Sequence, residues 1–230
     1  MATGGRQGGG VTDAPPLSPT ARSTVRRGAA RARADRAELY AVLDAGLVAH
    51  LGVVLGGAPV VLPTGYGRHG DTLYLHGSTG AATLRAAAAG APVCVTVTHV
   101  DGVVYARSAF HHSMNYRCAV VHGSARVVTD PGERLLGLRV LTEHLAPGSW
   151  AATRRPDRRE LAATVLLALD LTEASVKVRS GPPVDDERDL AVPVWAGVLP
   201  VRTVVGTPQP DPLLDPGVPV PDRVRDRRLG

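Results

Sequence analysis

The chain has 230 residues, a formal net charge of +5, 44% hydrophobic residues and only 3% aromatic residues. That is enough chain for one domain with tails, and enough apolar side chain for a core built from Val, Leu and Ala. No apolar window approaches the roughly 18 residues of a membrane span, and the opening stretch of Gly, Pro, Thr and Ser lacks the apolar region of a secretion signal, so the expectation is a cytoplasmic protein without membrane contact.

Residues 1–34 read as a disordered basic arm. Gly- and Pro-rich sequence without apolar periodicity does not offset the entropy of ordering. Its end carries Arg22, Arg26, Arg27, Arg31 and Arg33. No aromatic is interleaved to stack on bases, which argues against a nucleic-acid partner. From Arg36 the period turns helical, with Leu39, Val42, Leu43 and Leu47 on one face and Gly46 at the end. A hairpin follows, Val48 to Leu55 and Ala58 to Thr64 around Gly56-Gly57. Arg68 to Asp71 reads as a turn, Thr72 to His76 as a strand and Thr79 to Ala89 as a helix stopped by Gly90. Pro92 to Val100 and Val103 to Arg107 read as strands joined by an Asp101-Gly102 turn, and Tyr116 to Val128 as a long strand. Asp130, Pro131 and Glu133 mark a capped helix with the stripe Leu135, Leu138, Leu141 and Leu145. A short helix at Arg158 to Ala163 and a final strand from Val165 to Val178 complete the series.

Short hairpins without βαβ repeats point to a mainly β protein, an antiparallel Greek-key barrel with peripheral helices. The expected layout is an arm over 1–34, a barrel over 35–180, a docking segment over 181–205 and a loose tail over 206–230. The docking segment is expected to pack Trp195 against the barrel, because an open tail would leave that ring in water. Cys94 and Cys118 sit in apolar strand-like runs without CxxC spacing and read as buried, reduced thiols.

Chemistry concentrates in two places. Ser78, Thr79 and Gly80 stand where a strand turns into a helix, and the free N–H groups and positive dipole end of such a start suit a phosphate, with His76 just before it. An ordinary capped helix is the competing reading. The second place is Phe110 to Asn115, where adjacent His111 and His112 offer a general acid or base, or an iron ligand. The pattern does not say which of the two acts, and a structural loop is the competing reading. His50, His99 and His122 read as structural. Zinc-type spacings, a P-loop and a nucleophile elbow are missing, so no metal site is expected.

Tyr74 to Leu84 (YLHGSTGAATL) resembles the phosphate turn of the pyridoxamine 5'-phosphate oxidase-related split-barrel family, in its flavin-nucleotide-binding, nitroimidazole-resistance-like branch. APVVLPTGY at Ala58, NYRCAVVHGSARVV at Asn115, and SVKVRSGPPVDDERD followed by VWAGVLP resemble its other motifs in order and spacing, from about Asp35 to about Pro200. The resemblance implies an FMN-binding split barrel with the cofactor at a homodimer interface, and an FMN-dependent oxidoreductase acting on a small molecule. By position it implies that Leu62, Pro63 and Thr64 run along the flavin ring, that His76, Gly77 and Ser78 approach the phosphate, that Tyr116 and Arg117 reach the flavin from the partner, and that Trp195 covers the ring. The family's Arg or Lys inside the turn is replaced by Ala81 and Ala82, and the serine after Tyr-Arg by Cys118. Two alternatives stay open: a haem protein on the same fold with His76, His111 or His112 as axial ligand, and a non-enzymatic flavin-binding or regulatory protein.

Overall fold

The computed structural model describes residues 16–229. In chain order the strands are β1 (Ala32–Arg33), β2 (Ala49–Leu55), β3 (Ala58–Thr64), β4 (Tyr66–His69), β5 (Thr72–Ser78), β6 (Pro92–Tyr105), β7 (Ser113–Ser124), β8 (Arg126–Val127), β9 (Thr164–Asp170), β10 (Ala174–Arg179) and β11 (Gly197–Pro200). The helices are α1 (Arg36–Ala45), α2 (Ala82–Ala88), α3 (Pro131–Leu145), α4 (Ser149–Ala152), α5 (Arg158–Ala163) and α6 (Asp222–Arg225). All strand pairs are antiparallel. They form a large sheet in the order β1-β10-β7-β6-β2-β3, with β11 added on β6, and a small sheet in the order β4-β5-β9-β8.

The main core lies between the two sheets and under α1. Leu39 and Leu43 from the helix, Leu51, Val95 and Val121 from the large sheet, and Leu73, Leu75, Leu167 and Leu169 from the small one are at most 2% exposed. Each such Leu is worth about 1.5–3 kcal/mol of burial. The other face of the small sheet makes a second core with α3, from Tyr74, Leu166, Ala168, Val128 and Leu141. Strand β9 is therefore covered on both sides, which explains why its sequence is a solid apolar run instead of an alternating one. Helix α3 approaches β4 so closely that a Cβ on Gly67 would stand 2.9 Å from the Val140 backbone. Asp130 caps α3 as expected, its side chain accepting from Glu133 N–H at 2.7 Å.

Several expectations change. Asp101-Gly102 is no hairpin turn. It is a bulge inside one long strand, because β7 continues on one side of it and β11 pairs on the other. The run from Val165 to Val178 is two strands in different sheets, joined where Leu171 to Glu173 carry the chain across. The long strand ends at Ser124, and Arg126–Val127 joins the small sheet. Tyr66–His69, read as part of a turn region, is strand. Helix α2 starts at Ala82, three residues later than expected. On α3, Leu135 and Leu145 face solvent, and Gly137 and Leu141 are the buried positions.

The first fifteen positions of the expected loose arm lie outside the described residues. Beyond them the chain lies on the barrel: Leu17 is buried, Ser18 N–H donates to Ala174 O at 2.7 Å, Arg22 pairs with Glu173, and β1 adds to β10. The segment after residue 206 also makes contacts, with the Arg227 guanidinium donating to the carbonyls of His144 and Leu145. Both cysteines are free and half-buried, less covered than expected. No helix among the described residues is long and apolar enough to cross a membrane.

Candidate functional site

Alternation along β5 decides where His76 points. Leu73 and Leu75 face the main core, so Tyr74 and His76 face α3. There an open groove of about 370 Å³ is lined by His76, Leu138, Trp150, Arg154, Leu161 and Thr164, among others. His76 is exposed to solvent by area, yet the side chains around its ring desolvate it enough to hold its pKa below the ordinary value, which favours the neutral form at pH 7. Leu138 from α3, Trp150 from α4, Pro156 from the loop before α5 and Leu161 from α5 make its apolar part, and Thr142, Thr153, Arg154, Glu160 and Thr164 its polar part. Arg155 stacks over the Trp150 ring at 4.6 Å, and Arg154 pairs with Glu160, holding that carboxyl down to about 2. Behind the groove, the Arg134 guanidinium donates to the carbonyls of Leu161 and Thr164, while its buried Nε has no hydrogen-bond partner among the described residues.

Gly77 faces the opposite way, and a Cβ there would meet Leu84 of α2 at 2.4 Å. Its glycine is thus required by helix packing. The start of α2 has Ala81 at the N-cap position and no side-chain cap. Ser78 Oγ accepts from Gly80 N–H at 3.1 Å. The three residues of the expected phosphate turn are therefore divided, with His76 on the α3 face and Gly77 on the α2 face of the same strand.

Leu62, Pro63 and Thr64 lie on β3, an edge strand of the large sheet, where Leu62 and Pro63 are exposed. Tyr116 and Arg117 lie on β7, three strands away. Arg117 is held by Asp101 in an ion pair of 3.0 Å, and Tyr116 lines a separate groove on the outer face. One chain does not bring these residues into a single pocket.

His111 ends a short 3-10 turn and faces Asp186 at 3.5 Å. His111, Asp186 and Asp189 offer ligand atoms within 4.8 Å of one another, but Arg188 already faces both carboxylates. His112 Nδ1 accepts from Ala106 N–H at 2.9 Å, which leaves the ring proton on Nε2 when the ring is neutral. Its ring meets Tyr105 at 5.9 Å, and Tyr105 meets Trp195 at 5.6 Å. The structure thus joins His112 and Trp195 through Tyr105, at the end of the barrel where β11 pairs with β6. The docking segment is held by that backbone pairing, contrary to the expectation for its tryptophan: Trp195 stays 67% exposed.

The family model for pyridoxamine 5'-phosphate oxidase matches residues 35–178. The chain belongs to the pyridoxamine 5'-phosphate oxidase family. Among solved members of this fold, the flavocytochrome Anf3 from Azotobacter vinelandii is 40% identical over 94% of this chain and 100% of its own, with a TM-score of 0.88. An FAD and haem binding protein from Mycobacterium smegmatis is 42% identical over 85% of this chain and 96% of its own, with a TM-score of 0.82. A protein named for 5-nitroimidazole antibiotic resistance from Bacteroides thetaiotaomicron is 18% identical over 64% of this chain and 86% of its own, at a TM-score of 0.55, and shares the fold. No curated protein matches. Family membership brings flavin binding with the fold. The groove around His76 is not visible in the family motifs, because Leu138, Trp150 and Leu161 come from three helices, and Arg154 from the loop between α4 and α5, with no local signature. Trp150, one of only two tryptophans, was the one available clue.

Proposed function

We propose that this protein is a flavin-dependent oxidoreductase that also carries haem, whose iron His76 would hold, and that it acts on a small molecule. The observation that carries the reading is the position of His76: an imidazole with a lowered pKa in an open groove of mixed apolar and polar lining, on a chain about 40% identical to proteins named for both groups. The apolar side chains of the groove would suit the face of a planar macrocycle. Leu138, Trp150 and Leu161 would contact its faces and exclude water, and Arg154 at the rim would meet an acidic substituent, exchanging its bond to Glu160. His76 is in the protonation state a ligand requires. The flavin would lie along Leu62, Pro63 and Thr64, its phosphate toward Ser78 and the uncapped start of α2, with Gly77 behind.

Because those residues and Tyr116–Arg117 are three strands apart in one chain, the flavin reading includes a homodimer in which a second copy supplies Tyr116 and Arg117. Trp195 and either His111 or His112 would border the substrate end. When bound, flavin supplies two-electron chemistry and haem iron one-electron chemistry; the protein's part is to hold and insulate them. Two free cysteines support a cytoplasmic setting.

The test is the visible spectrum of the purified full chain, with the released chromophores identified by mass. Wild type should show flavin bands and an intense Soret band. His76→Ala should lose the Soret band and keep the flavin. A Soret band unchanged in position and intensity in that variant would refute His76 as ligand, and a flavin-free wild type would refute the flavin assignment.

A further inference from the structure

The arginines of the N-terminal segment find a place in the fold. Residues 17–33 are pinned to β10 at both ends, by Ser18 with Ala174 and Arg22 with Glu173 at one, and by β1 with Val176 and Lys177 at the other. Between the pins, Lys177 Nζ donates to Arg27 O at 3.0 Å. This leaves a groove of about 410 Å³ between the segment and the outer face of β7 and β10. Its floor is Tyr116, Cys118 and Val120, with Val25 at the side and the Ser175 hydroxyl at one edge; Arg26, Arg27 and Lys177 rim it. A second groove next to it, of about 290 Å³, is lined by Arg31, Arg33 and Arg179. No residue lining either groove is acidic. These six cations exceed the formal net charge of the whole chain, +5. The guanidinium groups of Arg26, Arg27 and Arg31 have no ion-pair or hydrogen-bond partner among the described residues. Arg179 is held below its ordinary pKa, first by burial and then by the like charge of Arg31. Of the six, Arg33 faces Glu38 at 3.9 Å, Arg179 donates to Asn115 and to backbone carbonyls and Lys177 to Arg27 O, so the unneutralised charge is that of Arg26, Arg27 and Arg31.

We infer that the groove binds the adenosine-pyrophosphate part of a dinucleotide, the base on the Tyr116–Val120 floor and the pyrophosphate between Arg26, Arg27 and Lys177. An aromatic, apolar floor suits a heteroaromatic ring. Paired guanidinium groups suit phosphate oxygens in bidentate geometry. The volume falls within the usual range for ligand pockets, roughly 300–1,000 Å³. Cations gathered around a concave floor fit a compact anion better than a duplex, which needs them spread along its backbone. Two sources carry this chemistry: the adenylate half of bound FAD, or a reduced nicotinamide dinucleotide as electron donor. The choice of source rests on the flavin reading above; the groove itself does not.

The probe is ADP, titrated calorimetrically into the full chain as purified and into protein reloaded with FMN. ADP should bind at least one form, and Arg26→Ala/Arg27→Ala should weaken it by about tenfold or more, the loss expected for charge-assisted contacts. Both side chains are exposed, so the variant should fold; Arg27→Glu provides a second check and should weaken ADP further. Binding to the purified form, with competition by NADH or NADPH, identifies the donor. Binding only after FAD is replaced by FMN identifies the adenylate of FAD. ADP binding by a protein found to hold no flavin would keep the groove and sink the flavin reading. Equal ADP affinity in wild type and both variants, no ADP binding in any form, or arginine-dependent duplex DNA binding that ADP does not displace would each overturn the inference.

Discussion

Tyr66 and His144 share one acceptor, and their joint removal should cost more than the separate losses add up to. The buried Tyr66 hydroxyl stands 2.5 Å from Leu43 O, in the last turn of α1, and 3.0 Å from Gly46 O. Its single proton serves those two carbonyls. His144 Nε2, on α3, is 2.6 Å from Gly46 O, and the two rings are 4.7 Å apart. Burial keeps the imidazole neutral, so Nε2 carries the proton it donates. In Tyr66→Phe, Leu43 O loses its partner while Gly46 O keeps His144; the cost should be about 1–2 kcal/mol. His144→Phe keeps a ring in place and leaves Gly46 O to Tyr66, at about 1 kcal/mol. The double variant strips Gly46 O of both donors, adding about 1 kcal/mol beyond the sum. At roughly 2–4 °C per kcal/mol for a chain of this length, Tyr66→Phe should melt about 2–8 °C lower. The assay is urea and thermal unfolding of the four proteins at fixed cofactor loading. Strict additivity, within about 0.3–0.5 kcal/mol, would show that Gly46 O is not a shared acceptor.

Burial lowers the pKa of both His76 and His144, so below about pH 6.5 the unfolded chain takes up protons that the folded histidines refuse. Their contribution is absent at pH 7 and becomes a growing penalty toward pH 5; His144→Phe should show a shallower loss of melting temperature over that interval, and parallel profiles would refute the assignment. Gly67→Ala sets a methyl 2.9 Å from the Val140 backbone and should destabilise by about 1–3 kcal/mol in urea unfolding, displacing α3 from the small sheet; an unchanged midpoint would mean the helix moves freely. Trp195→Ala removes a ring that is 67% exposed and should change stability by less than about 1 kcal/mol, so a large loss in calorimetry would mean that the ring packs elsewhere in solution.

Local signals carried the parts of this fold whose causes are local. Gly56-Gly57 set the β2–β3 hairpin, both at positive φ, and Asp130-Pro131 with Glu133 set the start of α3. Elements with non-local causes depart from what their local composition implies. Asp101-Gly102 has the composition of a turn, but β7 and β11 hold it within one strand. Thr172-Glu173 gave no punctuation strong enough to divide β9 from β10. Leu17, a single apolar residue among polar ones, anchors a segment whose composition argued for disorder. At the site, the family motifs located β3, β5 and β7. The direction of His76 depended on α3 to α5 covering that face of β5, which no spacing within Tyr74 to Leu84 records.

The β3 edge of the large sheet carries prolines at 59 and 63, paired with Val54 and His50 across the hairpin. A proline survives there when its nitrogen points outward, because inside the ladder it would break a bond. Pro59, Val61 and Pro63 share that outward phase, so two of the three amide donors on this border do not exist. A second molecule cannot lengthen the sheet by zipping onto β3. This border is therefore closed to growth of linear polymers by strand addition, while the strand's outward carbonyls stay open to a small polar guest.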